Sequence, residues 1–421
     1  MGSITNKAQK AVNNYLNRYQ DHDHILARLV IEPQPALGLV HTPREIAQQP
    51  YTWRETAKIM ASHRGPLSGF LEMSGLFDSV NRAHIILTGA GTSDYVGSSL
   101  TDLLRLRFKT ASNNWATTRI TASPDDYITK DHRYIVVHFA RSGNSPESRA
   151  VLELALNRYP LSTRHIVITC NKDGVLATQG RENPDKVYTI ILPEESNDQA
   201  LAMTSSFSSM VVAGQALAHL DKFDVFENLI DRIASSAEYF IDRYSDDIYD
   251  LADPDIRRAF YLGNKDLLGA AAESALKVQE LTMGKLIAKA EDTLTFRHGP
   301  ISAVDCETMV CFFLSEDNFT RRYEVDVLKQ YSSAFSELGA RSVVVGSNHS
   351  DDFKSTSARY FSYDPDRIWG IPAHYQVNLA VLFGQLFGMS ASTRMGINVD
   401  NPSIDKALYS RIVQGVRLYE P

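Results

Sequence analysis

HIILTGAGTSDYVGSSL, residues 84–100, and YIVVHFARSGNSPESRA, residues 134–150, decide the fold. Each is a β-branched apolar run that stops in a Gly/Ser/Thr-rich turn and restarts as a helical pattern. A strand ending this way aims backbone N–H groups and hydroxyls at one point beside the positive end of a helix, which suits phosphate or another anion. Two such turns in one half of the chain predict two edges of one crevice, at the carboxyl ends of parallel strands. A plain strand-to-helix turn with an N-cap would explain the first turn alone. It does not explain the second, where Ser142, Asn144, Ser145 and Ser148 surround Gly143 and Pro146 opens the next helix. A cap needs one hydroxyl, so this turn is predicted to hold phosphate through neutral donors. The pair Gly89 and Gly91 begins a dinucleotide fingerprint, but Asp94 stands at the third glycine position and would face a pyrophosphate. No GxxxxGK[ST] motif occurs either.

Outward from these turns the pattern alternates. Strands are predicted at His84–Thr88, Tyr134–Phe139, His165–Thr169 and Val187–Leu192, with helices at Tyr95–Phe108, Pro146–Arg158 and Leu201–His219. A helix at Val225–Tyr249 leads to a second set, with strands at Ala259–Leu262, Thr308–Leu314, Ser342–Val345 and Arg359–Tyr363. The helices of that set fall at Leu267–Met283, Tyr323–Leu338 and Ala373–Met389. Apolar strands separated by helices predict an α/β fold with parallel sheets covered on both faces. The halves read as a degenerate repeat: HIILTGAG corresponds to AFYLGNKD, and VVHFARSGNSPE to MVCFFLSEDNFT. The second copy gains Glu316 and Asp317, which repel a phosphate. One sugar-phosphate site per chain is expected, seated in the first unit and completed by the second. The expected division is an N-terminal helical arm at 1–52 with a proline-marked loop, a first α/β domain at 53–222 and a second at 223–421.

Composition bounds the function. The 421 residues are 43% hydrophobic and 22% charged, as in a globular protein of two or three domains. A net charge of −7 without a basic block argues against nucleic acid. There is no apolar run of membrane-spanning length, and MGSITNKAQK lacks a signal-peptide core. Cys170, Cys306 and Cys311 are too few and scattered for a disulfide framework or zinc cluster. A cytoplasmic protein is expected, with no metal: His22 and His24 lie in the arm, and no His/Asp/Glu spacing suggests ligands.

The candidate chemistry lies in ESALKVQELTMGK. Glu273, Lys277 and Glu280 stand at i, i+4 and i+7, on one helical stripe. Most such triplets are solvated salt-bridge faces. Here the neighbours Ala270, Ala271, Ala275, Leu276, Val278 and Leu281 are small or apolar, so burial is expected, with pKa values shifted toward proton transfer. FRHGPISAV then places His298 beside Gly299 and Pro300. A lone histidine in a turn is usually a structural donor; after a carboxylate-bearing helix in a sugar-phosphate protein it becomes a candidate acid/base.

GAGTS, ARSGNSPES, ALKVQE and RHGP resemble the sugar isomerase (SIS) fold present twice, as in the isomerase half of glucosamine-6-phosphate synthase. FARSGNSPES, ITCNKDG, LPEESNDQALAMTSSF, ESALKVQELT, FRHGP and the late NPS with RIVQGV resemble the tagatose-6-phosphate ketose/aldose isomerases, a branch also described as galactosamine-6-phosphate deaminases. The resemblance runs from about residue 50 to the C-terminus. It implies two tandem SIS units, each a parallel sheet flanked by helices, with no metal or nucleotide cofactor, and a homodimer or dimer of dimers with shared active sites. By position it assigns phosphate binding to Ser93, Ser142 and Ser145 with Thr92 and Asn144 beside them, proton shuttling to Glu280, the helix lysine to Lys277 and ring opening to His298. Where the synthase has a Ser-Gln pair this chain has Ala140-Arg141, which puts Arg141 in the turn to contact phosphate or a ring hydroxyl. RIVQGVRLYEP offers no lysine for amine capture, and some fifty N-terminal residues, with Gly at position 2, cannot form a glutaminase domain. Ammonia release is therefore the expected direction: galactosamine 6-phosphate to tagatose 6-phosphate and ammonia. Isomerisation without deamination, or a non-catalytic sugar-phosphate regulator, are the alternatives.

Overall fold

The structure, a computed structural model, describes residues 2–347, 356–403 and 417–419, with side chains from residue 9 onward. Two five-stranded, all-parallel sheets form its frame. The first contains β1 (His84–Thr88), β2 (Ser112–Asn114), β3 (Tyr134–Ala140), β4 (Thr163–Thr169) and β5 (Val187–Ile191), in the order β2-β1-β3-β4-β5. The second contains β6 (Arg258–Leu262), β7 (Ile287–Glu291), β8 (Thr308–Phe313), β9 (Arg341–Gly346) and β10 (Arg359–Ser362), in the order β7-β6-β8-β9-β10. Strand for strand the two sheets are the same arrangement, so the internal repeat read from sequence is a repeat in space. Central strands are buried throughout, as β3 and β8 illustrate, because helices cover both faces.

Two strands, and the helices Thr117–Ala122 and Val175–Glu182, escaped the sequence pattern. β2 and β7 are edge strands, SNN and IAKAE, short and poor in large apolar side chains, so neither carries the expected signal. The predicted helix at Tyr95–Phe108 is two, Thr92–Ser98 and Thr101–Phe108, and the predicted Leu201–His219 helix begins only at Ser205. There Asp198 accepts hydrogen bonds from the N–H groups of Thr204, Ser205 and Ser206, so the residues before Ser205 stay in a loop. RIVQGV, with most of the C-terminal tail, lies outside the described residues.

The arm is more than a polar extension. Val12, Leu16, Leu26, Leu29 and Val30 are buried, Arg18 pairs with Asp242 of the helix Phe223–Leu251 at 2.8 Å, and Tyr15 donates to Glu238 of that helix at 3.0 Å. What positions the site is the helix Asp266–Leu281, which packs against Val377–Arg394 of its own half and Thr92–Ser98 of the other. Gly269 makes that second contact possible: a Cβ there would lie 2.7 Å from Ser99 N and 3.0 Å from Ser98 C. Gly269→Ala is expected to cost about 1–3 kcal/mol, as overpacking of a tight contact does, and to lower Tm. An unchanged Tm would show that the two helices can separate without loss.

Candidate active site

Both Gly-rich turns leave their hydroxyls unspent on capping. In the first, Gly91 stands at φ 57 and ψ −126 and no side chain caps the helix that Thr92 begins. In the second, Gly143 turns the chain at φ 65. Ser145 is the N-cap of Pro146–Arg158, yet its hydroxyl bonds Ser148 Oγ at 2.7 Å rather than the helix backbone. The two turns face each other across a cavity of about 380 Å³, at the carboxyl ends of β1 and β3. Its lining includes Thr92, Ser93, Arg141, Ser142, Ser145 and, from the second unit, Glu280.

Behind Glu280 the predicted stripe is buried. Lys277 Nζ, without solvent exposure, donates to Glu280 Oε2 at 2.5 Å and Thr92 Oγ1 at 3.0 Å, and lies 3.4 Å from Glu273 Oε1. Thr92 in turn donates to Glu273 at 3.4 Å. Burial opposes the Lys277 ammonium, but Glu273 and Glu280 outweigh it and hold its pKa above the ordinary lysine value. Glu273 goes the other way: burial pushes its carboxyl up to about 8 against the pull of Lys277. At neutral pH Glu273 is therefore mostly protonated, and Glu280 is the member of the stripe that reaches the cavity.

The remaining predicted positions divide. Arg141 lines the cavity while its Nη1 donates to the carbonyls of Ala200 and Leu201 at 3.3 and 3.1 Å, so it is a held side chain. Asn144 Oδ1 accepts from Val175 N at 3.0 Å, ties two turns together and is outside the cavity lining. His298 ends the exposed turn Thr295–His298 before Gly299, at φ 139, also outside the lining. Asp94 bonds Asn114 of β2 at 3.0 Å and does not face the cavity. Sequence reading missed Thr118, Leu201 and Met203, which complete the wall. Thr118 follows the unpredicted β2, and the other two sit where a helix was expected.

The equivalent crevice of the second unit is filled from within. Lys265 repeats the backbone of Gly91 at φ 53 and ψ −133 and pairs with Asp317 at 3.3 Å. Asp317 caps the helix Asn318–Glu337, and its bonds to Thr320 hold its pKa at about 2. Glu324 accepts from Ser315 N at 2.8 Å and Asn264 Nδ2 at 2.7 Å, and Glu316 pairs with Arg321 at 2.7 Å. A phosphate there would meet three carboxylates.

The structure also gathers His22, His24 and Asp242, a grouping that no sequence spacing indicated. His24 Nδ1 accepts from Ala27 N at 3.2 Å, which leaves the ring proton of the neutral tautomer on Nε2, facing Asp242 at 3.5 Å. Arg18 already holds the other carboxylate oxygen. A metal ligand needs the opposite tautomer, so the group reads as a polar knot between arm and helix.

The SIS domain model matches residues 80–220. A D-galactosamine-6-phosphate deaminase of Escherichia coli is 34% identical over 393 residues, 92% of this chain and 97% of the relative. The chain belongs to the galactosamine-6-phosphate deaminase family. Among solved structures, a Clostridium novyi NT protein superposes with a TM-score of 0.87 at 31% identity, covering 95% of this chain and 100% of the other. The E. coli tagatose-6-phosphate ketose/aldose isomerase superposes at 0.77 with 33% identity, covering 86% and 95%. The two sheets are tandem SIS units, and among the described residues no helix is long and apolar enough to cross a membrane.

In this family member the buried Glu273 sets a pH signature. Its folded pKa, about 8, exceeds the ordinary 4.5. Between those values the folded state keeps a proton that the unfolded chain releases, so this group's contribution to stability falls as pH rises through the window. Glu273→Gln removes the dependence. Its Tm relative to the parent protein is expected to climb from about pH 5 to about pH 8.5. A difference that stays flat would mean that Glu273 is ionised across the range.

Proposed function

We propose that this enzyme converts galactosamine 6-phosphate to tagatose 6-phosphate and ammonia, as a cytoplasmic homodimer with shared active sites. The observation that carries the reading is the meeting of two unspent hydroxyl turns with a lysine-backed carboxylate, Glu280, in one cavity. The printed name of the E. coli relative supports it.

The phosphate is held by Ser93, Ser142, Ser145 and Arg141, with neutral donors and one cation in place of a metal. That anchoring presents C1 and C2 of the opened sugar to Glu280. Glu280 takes the C2 proton, forming an enolamine, and returns it at C1, which leaves a ketimine at C2. Water adds to the C=N carbon and ammonia departs, giving the ketose. Lys277 holds the carboxylate in place and offsets its charge, while the protonated Glu273 adds no second negative charge behind it. With a hydroxyl at C2 the same proton transfer gives simple isomerisation, and the name of the solved E. coli isomerase favours that second reading. A regulator without turnover would have no use for Glu280 and Lys277 buried together at the cavity.

The deciding assay measures ammonia and ketose from galactosamine 6-phosphate, glucosamine 6-phosphate and tagatose 6-phosphate side by side. Ammonia from the galacto substrate is expected, and ketose–aldose exchange without ammonia would establish the second reading. In the same assay Glu280→Gln is expected to abolish solvent exchange at C2 while phosphate-competitive binding persists. Exchange at the parental rate would move the chemistry elsewhere.

His298 opens the ring from the partner subunit. Its exposed position on a rigid turn, outside the cavity of its own chain, supports that role. Mixed dimers of Glu280→Gln and His298→Ala chains are expected to regain activity, because one of their two sites carries neither change, with half of the parental turnover as the ceiling. Mixed dimers as inactive as either parent would return His298 to its own chain's site.

A further inference from the structure

Arg141 reaches the cavity only because something holds its other side. Its Nη1 donates to the carbonyls of Ala200 and Leu201, in the loop that also brings Leu201 and Met203 to the cavity wall. Within the first SIS unit Asp198 ties that loop to the helix that begins at Ser205, and the arm holds it from the other side. Glu45, 5% exposed on the arm helix Thr42–Ala47, accepts through one oxygen from Gln199 N at 2.5 Å and Ala200 N at 3.2 Å. One residue on, Leu201 N donates to Asp400 O at 2.9 Å. The Asp400 carboxylate in turn accepts from Val40 N, His41 N and Thr42 N at 2.8, 3.0 and 2.7 Å, at the start of the helix that carries Glu45. The hydrogen bonds close a ring through Glu45, the 199–201 backbone, Asp400 and the arm.

We propose that Glu45 is a positioning residue for substrate binding, fixing the Ala200 and Leu201 carbonyls that aim Arg141 at the sugar phosphate. The two N–H groups bonded by Glu45 and the two carbonyls bonded by Arg141 belong to adjacent peptide units, so the arm is mechanically in series with the guanidinium. Without Glu45 those N–H groups lose their acceptor, that of Ala200 in a buried position, and the loop must rearrange to find another. The guanidinium would then follow its carbonyls. Burial, and next Asp198, push the Glu45 carboxyl upward. A protonated carboxyl still accepts both bonds through its carbonyl oxygen, and so does an amide. Acceptor geometry rather than charge is therefore what the ring requires, and glutamine should substitute. The arm thereby takes part in the site.

This inference rests on Arg141 contacting the substrate phosphate, and the experiment separates the two. KM and kcat for galactosamine 6-phosphate, and the inhibition constant of inorganic phosphate, are measured for Glu45→Ala, Glu45→Gln, Arg141→Ala and the Glu45→Ala/Arg141→Ala pair. Glu45→Ala is expected to raise KM and the phosphate constant on the order of tenfold with kcat within about twofold, a split that loss of stability alone would not give. Glu45→Gln is expected to match the parent, and the double variant to be no worse than Arg141→Ala, since the two act on one interaction. If Arg141→Ala weakens phosphate and Glu45→Ala does not, the positioning role is wrong and the function of Arg141 stands. An unchanged phosphate constant in Arg141→Ala removes both. Should Glu45→Ala fail to fold, Asp400→Asn loosens the same ring without emptying a buried site. It is expected to shift KM in the same direction, and an unchanged KM there overturns the proposal.

Discussion

A lysine ammonium sealed from water among the Glu280 carboxylate, the Glu273 carboxyl group and a threonine is the constraint around which this enzyme is organised. Lys277 has no solvent to fall back on, and stranding one member of such a buried pair typically costs about 3–5 kcal/mol. Two of its partners, Glu273 and Glu280, come from its own helix and would be present in any helical conformation. The third, Thr92, comes from the first turn of the other SIS unit. Satisfying the ammonium therefore fixes how the second unit docks on the first, and the docking is what delivers Glu280 to the cavity between the Gly-rich turns. The close approach at Gly269 serves the same contact about two turns earlier on the helix. Stability and function share one interface here, which explains why a charged stripe persists where apolar packing would hold as well.

The duplicated architecture has been put to unequal use. Both units have the same strand order and the same strained residue at the head of the corresponding helix, with Gly91 and Lys265 differing by only a few degrees. In the first unit a glycine leaves the mouth of the cavity open. In the second a lysine adopts the left-handed backbone, a conformation costing about 1–2 kcal/mol for an L residue, and its side chain pairs with Asp317. Glu316, Asp317 and Glu324 complete an internally neutralised crevice. The second unit contributes the helix that carries Glu280 to the cavity.

The N-terminal segment follows the same economy. Its buried face seals the helix Phe223–Leu251, its Arg18 pairs with Asp242, its Tyr15 donates to Glu238, and its short helix Thr42–Ala47 reaches the loop behind Arg141. A segment with no strand of its own is thus built into the frame of the site, through hydrogen bonds to backbone that no side-chain motif advertises.

The sequence by itself determined the parts whose signals are local. The apolar runs of β1, β3, β4 and β8 declared a parallel sheet because strands buried on both faces need continuous apolar sequence. The Gly/Ser turns declared strand-to-helix turns at one crevice because their backbone requirements are met within a few residues, and the i, i+4, i+7 stripe declared its buried face because helical geometry is local too. Edge strands β2 and β7, half-solvated and short, carried too little apolar pattern to be seen. What only the tertiary structure decided depends on residues far apart in the chain: that Thr92 is the partner of Lys277, that Asn144 serves Val175 instead of the cavity, that His298 lies outside the cavity of its own chain, that His22, His24 and Asp242 meet, and that Glu45 stands behind Arg141. These are contacts between distant segments, set by how the units and the arm pack, and periodicity within one segment holds no information about which surface will cover it.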